Sequence, residues 1–366
     1  MHYAQYDGLL QDHESASKRK LAHCTKVPTY LWQPLECLDY SSRTTLPWEW
    51  LFDLTAIRLR QPLLVSTEMT QDWFSQHLPL PEDEIIVLRD HSPYHFRFLD
   101  SITDSAPSSE RYLEDIYVPA LNQVTRRLLR TGSLFGTARI RLRKRDNKNH
   151  RDLIQKAMIP NHPVILRVSE AVWNHLGDTY LAAHIRGGDG PFTHKAEATV
   201  ALVWKRLVLE VLGIPSGPAC RLLMDIDPSS TIPCERQVTG KESLKIKQGW
   251  KPTISCRGIL HPSGPFETLN TPLYVATDIP DPHETLLLRL LRQTFPCMFV
   301  LADFSQALAP LGDLVSPYDA VKLYPFLLPF VDGLVAGRAA HVIGTEGSTY
   351  SQYVESRLWN HFHVAD

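Results

Sequence analysis

The pattern of apolar and polar positions is strongest after about residue 160. Short apolar runs there alternate with segments whose apolar residues recur every three or four positions. This alternation predicts a parallel, doubly wound sheet with helices on both faces. The predicted strands are 180–185, 273–276, 297–301 and 341–343, and the predicted helices are 165–176, 195–212, 281–293, 329–338 and 348–362.

The pattern before residue 160 is weaker. Residues 1–26 are polar and unpatterned, which is typical of a frayed tail. Because the chain is too long for a typical single core, the sequence predicts an N-terminal lobe over 27–160 and a C-terminal lobe over 161–366. Within the first lobe, the predicted strands are 63–65 and 85–88, and the predicted helices are 69–77 and 112–129.

Two segments depart from regular alternation. In the basic stretch 139–151, arginines alternate with Ile140 and Leu142, as on an edge strand or hairpin. A solvated surface is favoured there over a site for an acidic or phosphate-bearing partner. Residues 215–271 are rich in Pro, Gly, Ser and charge, and are predicted to be an insertion in the second lobe.

Composition and cysteine spacing narrow the function classes. The chain has 38 basic and 40 acidic residues, so a global basic field for nucleic acid is absent. No apolar run reaches the roughly 18 residues of a membrane span. None of the six cysteines forms a CxxC pair, so no metal site is expected. A disulfide among Cys220, Cys234 and Cys256 is possible, but free thiols are favoured because no secretory leader is visible.

Residues suited to a phosphate follow the first predicted strand of the second lobe. The segment HIRGGD contains His184, Arg186, Gly187 and Asp189. A guanidinium matches phosphate oxygens, and glycine lets a ligand approach the backbone. An ion pair between Arg186 and Asp189 is the alternative interpretation.

Two other strands end in suitable residues. Asp278 could accept hydrogen bonds from a ribose or orient an arginine, or else fix its own loop. After the last strand, Gly347 makes a turn before Ser348 and Thr349, where helix amides favour an anion unless Ser348 is a simple cap. Since ligands bind at the carboxyl ends of parallel strands, these residues together predict a nucleotide-diphosphate site. Neither a Walker loop nor a GxGxxG fingerprint occurs.

Three motifs, AHIRGGD, YVATD and PFVDGLVAGRAAHVIGTEGSTYSQYVESR, occur in this order. With them the chain resembles the GDP-fucose protein O-fucosyltransferase superfamily, particularly its divergent fungal members, over about 160–366. The resemblance implies a GT-B fold, in which two Rossmann-like lobes face each other across a cleft. The family's glycine-rich N-terminal loop is not found before Val27, so the first lobe is expected to be incomplete.

The resemblance also implies a reaction, the metal-independent and inverting transfer of fucose from GDP-fucose to a hydroxyl of an unknown protein or glycan, without a cofactor. Arg186 would be catalytic by stabilising the leaving GDP, and His184 would contact nucleotide or sugar. Asp332 would recognise the guanine edge. The remaining implied substrate-binding residues are Gly187, Asp278, Gly347, Ser348 and Thr349.

Two alternatives remain open at this stage. The chain could be a catalytically impaired protein that still binds GDP or a GDP-sugar, as the missing loop suggests. It could also be a related glycosyltransferase with another nucleotide-sugar donor. The family usually works in the secretory pathway, whereas the visible sequence has no leader and is expected to be cytoplasmic.

Overall fold

The computed structural model describes residues 46–63, 80–88, 95–101, 112–131, 139–188, 190–228, 255–262, 264–317 and 320–364. The predicted tail 1–26, the predicted helix 69–77 and most of the predicted strand 63–65 lie outside these residues. The chain divides into two compact units, Met1–Ile159 with Val315–Leu323 and Pro160–Leu314 with Tyr324–Asp366.

The first unit contains two small parallel sheets. In one, β1 (Ile85–Leu88) pairs with β4 (Leu128–Thr131). In the other, β2 (Phe96–Leu99) lies between β3 (Glu114–Tyr117) and β5 (Ile140–Arg141). The helices of this unit are α1 (Trp48–Leu51), α2 (Thr55–Arg58), α3 (Val118–Leu121) and α4 (Arg145–Ala157), with a 3-10 turn at Glu82–Glu84.

The predicted helix over 112–129 is wrong, because the segment contains strand β3, the single turn α3 and the start of β4. Pro119 lies in the first turn of α3, where a missing N–H costs nothing, whereas it would destabilise the middle of a longer helix. On either side of Pro119, Leu113 and Val124 are exposed rather than aligned on a buried face.

The basic stretch forms an edge strand, as predicted, and then a helix. Among the described residues, strand β5 pairs with β2 alone, and α4 starts four residues later. Asp100, at the carboxyl end of β2, accepts hydrogen bonds from the backbone amides of Arg143 and Lys144 at 2.7 and 2.9 Å. This carboxylate therefore fixes the start of α4.

The second unit contains a four-stranded parallel sheet, which confirms the four strands predicted after residue 160. Its order is β8-β7-β6-β9, so β6 lies between β7 and β9. Every residue of β6 is buried, as expected for a strand covered on both faces. The strands are β6 (Leu181–Ile185), β7 (Leu273–Thr277), β8 (Met298–Phe299) and β9 (His341–Gly344).

Helices cover both faces of this sheet. Leu181, Ala183 and Ile185 point into the larger core, which includes residues of α7, α8 and α9. On the opposite face, α11 packs against β6, β7 and α5. The helices are α5 (Pro163–Leu176), α6 (Gly190–Thr193), α7 (Ala196–Lys205, continued by a π segment at Arg206–Val211), α8 (Ser216–Ile226), α9 (Arg289–Thr294), α10 (Ser305–Leu308), α11 (Tyr324–Arg338), α12 (Thr349–Tyr353, continued by a π segment at Val354–Leu358) and α13 (Trp359–His363). Short 3-10 turns lie at Glu267–Asn270, Leu301–Phe304 and Ala309–Asp313.

The predicted insertion 215–271 is wrong at both ends. Ala219 and Leu223 of α8 lie in the core, and Leu269 is fully buried there too. The apolar positions of α8 have helical spacing, but the Pro- and Ser-rich composition of the segment obscured it. Residues 229–254 lie outside the described residues.

The predicted helix 281–293 begins eight residues late, at Arg289. Asp281 has a φ of 47°, in the left-handed region, whereas a helix N-cap has extended backbone. The amides of Glu284 and Thr285 both donate to the Asp281 carbonyl, so a single turn forms here. The predicted helix 329–338 ends where expected, at Arg338, but begins at Tyr324 with Pro329 inside it.

Cys256 and Cys297 form a disulfide, so the expectation of free thiols is wrong for this pair. The bond joins the segment around Cys256 to the residue before β8, and the Gly258 amide donates to the Pro296 carbonyl at 2.9 Å beside it. Cys220 is a free thiol. Cys234 lies outside the described residues.

Candidate functional site

The carboxyl ends of β6, β7 and β9 lie side by side. In the sheet, Ile185 is opposite Thr277 and His184 is opposite Gly344. The residues that follow these strands, Arg186, Asp278 and Thr345, are therefore neighbours although they are far apart in sequence.

The backbone at Arg186 is held by Thr345. The Arg186 amide donates to Thr345 Oγ1 at 2.9 Å, and Thr345 donates from both its amide and its hydroxyl to the His184 carbonyl, each at 3.0 Å. The half-buried guanidinium lies 5.1 Å from the ring centroid of Phe192, a cation–π distance. The backbone of Arg186, the predicted catalytic residue, is thus held in place by Thr345.

Asp278 fixes the turn that follows Arg186. Its Oδ1 accepts the amide hydrogens of Gly187 at 2.8 Å and Gly188 at 3.0 Å. A Cβ on Gly188 would lie 2.4 Å from the Asp278 carbonyl oxygen, and one on Gly187 would lie 2.9 Å from Ile279 Cδ1. Close packing against residues 278–279 therefore explains why both positions are glycine. The alternative partner Asp189 lies outside the described residues.

The turn before α12 offers backbone donors. Gly347 has a φ of 76°, a conformation suited to glycine. Ser348 is buried, and its Oγ accepts the Ser351 amide at 3.2 Å, so this hydroxyl caps the helix. The amides of Gly347, Thr349 and Tyr350 form no hydrogen bond with any described residue. Such amides at a helix start favour an anion.

His184 is a buried, neutral imidazole beneath this turn. Its Nδ1 lies 2.6 Å from Ser351 Oγ, which itself accepts the Thr345 amide at 3.0 Å. The neutral ring and the serine hydroxyl thus share one hydrogen bond, whose direction depends on which ring nitrogen carries the hydrogen. Burial lowers the pKa of His184 to about 4; the Asp278 charge opposes this shift and the Arg186 charge adds to it. An uncharged N–H donor is the result at neutral pH.

Asp332 lies on α11 rather than at a strand end. The Tyr274 hydroxyl donates to Asp332 Oδ1, and Oδ2 forms no hydrogen bond with any described residue. Burial raises the pKa of Asp332 to about 7, and the Tyr274 hydrogen bond acts in the opposite direction. Tyr350 connects the helix that carries Asp332 to His184, because its ring lies 4.8 Å from the His184 ring and its hydroxyl donates to the Pro329 carbonyl of α11.

The structure thus brings most predicted site residues to the carboxyl edge of the second sheet. Asp332 lies on α11, which Tyr350 connects to His184 at that edge. Sequence reasoning missed Phe192, Tyr274, Tyr350 and Ser351 as parts of this arrangement. Ser351 and Tyr350 belonged to the motif before the last helix, but nothing in their spacing indicated contact with His184. Within the parts of the chain that the structure describes, no group of three or more His, Cys, Asp or Glu side chains is arranged to hold a metal ion.

No protein-family model and no curated protein matches this chain in sequence. Its class is therefore given by the fold, a mixed α/β protein with parallel sheets that is compatible with a Rossmann-like arrangement. None of the helices within the described residues combines the length and hydropathy needed to cross a bilayer.

Proposed function

We propose that this chain is a glycosyltransferase that moves fucose from GDP-fucose to an acceptor hydroxyl with inversion and without a metal. The observation that carries the proposal is the shared edge of the second sheet, where the Arg186 amide donates to Thr345, two residues before the turn at Gly347. The motifs around Arg186 and Asp332 support fucose and guanosine as the donor's parts.

The chemistry required at this edge is charge stabilisation. Breaking a glycosyl–phosphate bond builds negative charge on the leaving diphosphate, which fixed donors stabilise without reorganisation. In the proposed mechanism Arg186 binds the β-phosphate. The Gly347 and Thr349 amides and the Thr349 hydroxyl bind the same group, and the Ser348 hydroxyl, whose oxygen caps the helix, can still donate its hydrogen to it. The neutral His184 ring supplies a further uncharged donor when its hydrogen is on Nε2.

Asp332 is proposed to bind the guanine edge through its free oxygen, Oδ2. Asp278 is proposed to act through the backbone, by holding the turn that starts at Arg186. In this proposal the second unit is the donor-binding lobe of a GT-B glycosyltransferase, and the first unit supplies the acceptor side.

Donor hydrolysis tests the proposal without knowledge of the acceptor. The chain is incubated with GDP-fucose and the released GDP is measured. A parallel incubation with UDP-glucose measures released UDP. We expect slow release of GDP only, reduced about tenfold or more in Arg186→Lys, because lysine lacks the fork that matches phosphate oxygens. GDP binding without hydrolysis would favour the nucleotide-binding alternative, and hydrolysis of UDP-glucose alone would favour another donor.

A further inference from the structure

A buried hydrogen bond connects the middle of the second sheet to the helix that carries Asp332. Tyr274 on β7 is fully buried, and its hydroxyl donates to Asp332 Oδ1. The neighbouring Tyr350 gives its own hydroxyl to the Pro329 carbonyl instead. Among the described residues, Tyr274 is therefore the one side chain that donates to this carboxylate.

This pair is costly as a packing solution. Asp332 is half-buried, so its carboxylate loses hydration that one hydrogen bond restores only in part, and a phenylalanine would fill the same space on β7 without needing a partner. The pair also leaves Asp332 Oδ2 without a partner among the described residues. This oxygen of a half-buried carboxylate is therefore an acceptor that a ligand can use.

We propose that Tyr274 is a positioning residue for Asp332: by holding Oδ1, it leaves Oδ2 as the acceptor for the N–H donors on the edge of a guanine base. The inference rests on the proposed function, because it names the part of the nucleotide that this carboxylate reads. It adds a specificity role for a core tyrosine that does not itself touch the ligand.

The groups around Asp332 make its ionisation separable from that of its neighbours. Tyr274 faces it from β7 and Tyr350 from α12, and Tyr180 lies behind Tyr274 with its hydroxyl on the Val335 carbonyl at 2.5 Å. Burial raises the pKa of all three phenols, so they stay neutral donors. His184, which contacts Tyr350, has a pKa of about 4. Asp332, with a pKa of about 7, thus titrates apart from them.

The first test needs no ligand. Because the folded pKa of Asp332 is raised, the folded protein keeps a proton that the unfolded chain loses, so stability falls as pH rises from about 4 to about 7. Tyr274→Phe removes the bond that favours the charged form and should move the upper end of this fall up by about one pH unit. Asp332→Asn should abolish it.

Tyr180→Phe is the matched control, since it removes another buried tyrosine hydroxyl bonded within the same unit. Thermal unfolding of the wild type, Tyr274→Phe, Asp332→Asn and Tyr180→Phe is compared at several pH values from about 4 to about 8.5. If Tyr274→Phe follows the same pH profile as Tyr180→Phe, Tyr274 does not control Asp332 and the inference is overturned.

The second test uses GDP and inorganic pyrophosphate in calorimetric titrations of the full chain. At pH 7, Tyr274→Phe should weaken GDP binding about tenfold, while pyrophosphate affinity changes by less than about twofold. Raising the pH to about 8.5 should restore GDP binding in Tyr274→Phe but not in Asp332→Asn.

The outcomes separate the two claims. Equal losses for GDP and pyrophosphate, or no rescue at high pH, would overturn the specificity role of Tyr274. A folded wild-type protein that binds neither ligand would overturn the proposed function together with the base-reading role. The ligand-free pH profile would still decide whether Tyr274 governs Asp332.

Discussion

Asp278 holds the turn at Gly187 and Gly188 through two backbone hydrogen bonds to one carboxylate oxygen. Hydrogen bonds to a charged acceptor are among the stronger ones in proteins. Because Arg186 immediately precedes this turn, the carboxylate limits the directions from which the guanidinium can leave the backbone. In the proposed site, Asp278 therefore acts on the ligand through Arg186.

Asp278→Ala should release the turn. We expect a loss of about 1–2 kcal/mol in the free energy of unfolding and about a tenfold loss in GDP affinity. Denaturant unfolding and calorimetry measure the two effects, with Asp225→Ala, an exposed carboxylate on α8, as the control. Unchanged GDP affinity in Asp278→Ala would show that the turn does not position Arg186.

At the residue scale, the rule that ligands meet strand ends was enough to find Arg186, Asp278 and the turn before Ser348. It could not find the partners of His184 and Asp332. Ser351 is 167 positions from His184 and Tyr274 is 58 from Asp332, so these contacts exist only after the sheet and α11 have packed. Asp278 fixes the turn at Gly187 and Gly188 rather than its own loop, and this contact too exists only after β6 and β7 have paired.

Two glycines of α11 let the last helix approach closely. A Cβ on Gly333 would lie 2.6 Å from the Tyr350 hydroxyl, and one on Gly337 would lie 2.7 Å from Leu358 Cβ. Leu358 ends the π segment of the last helix. The close contact keeps Tyr350 against α11, where its hydroxyl reaches the Pro329 carbonyl.

Gly337→Ala should destabilise the protein by about 1–3 kcal/mol, because overpacking outweighs the better helix propensity of alanine. Gly217→Ala on α8 is the control, since a Cβ there meets nothing within 4 Å. The free energy of unfolding of Gly217→Ala should stay level or rise by up to about 1 kcal/mol. Equal stability of the two variants in denaturant unfolding would argue against a tight contact at Gly337.

Element prediction succeeded where local and tertiary preferences agree. Continuous apolar runs gave the four strands of the second sheet, and Gly177, with a φ of 84°, ends α5 where the pattern placed its end. It failed where one strong local signal was taken as decisive. Asp281 looked like an N-cap but adopts a left-handed turn. The apolar spacing around Pro119 predicted a long helix, although a proline at that position disfavours one.

At the scale of the whole chain, the second unit joins distant segments in two ways. Its sheet pairs strands from three parts of the sequence, and the Cys256–Cys297 disulfide closes a loop over 41 positions. Such a bond stabilises mainly by restricting the unfolded chain. The pairing could not be read from cysteine spacing, because Cys297 lies outside the segment that contains the other candidates.

The proposed function requires that Arg186 and the turn before α12 bind one diphosphate. The most direct measurement is a calorimetric titration of GDP into the wild type, Arg186→Ala and the control Arg221→Ala, an exposed arginine on α8. We predict that the wild type and Arg221→Ala bind GDP alike, while Arg186→Ala loses about 1.5–3 kcal/mol of binding free energy and stays folded. Equal GDP affinity in all three proteins, or no binding by a folded wild type, would contradict the account.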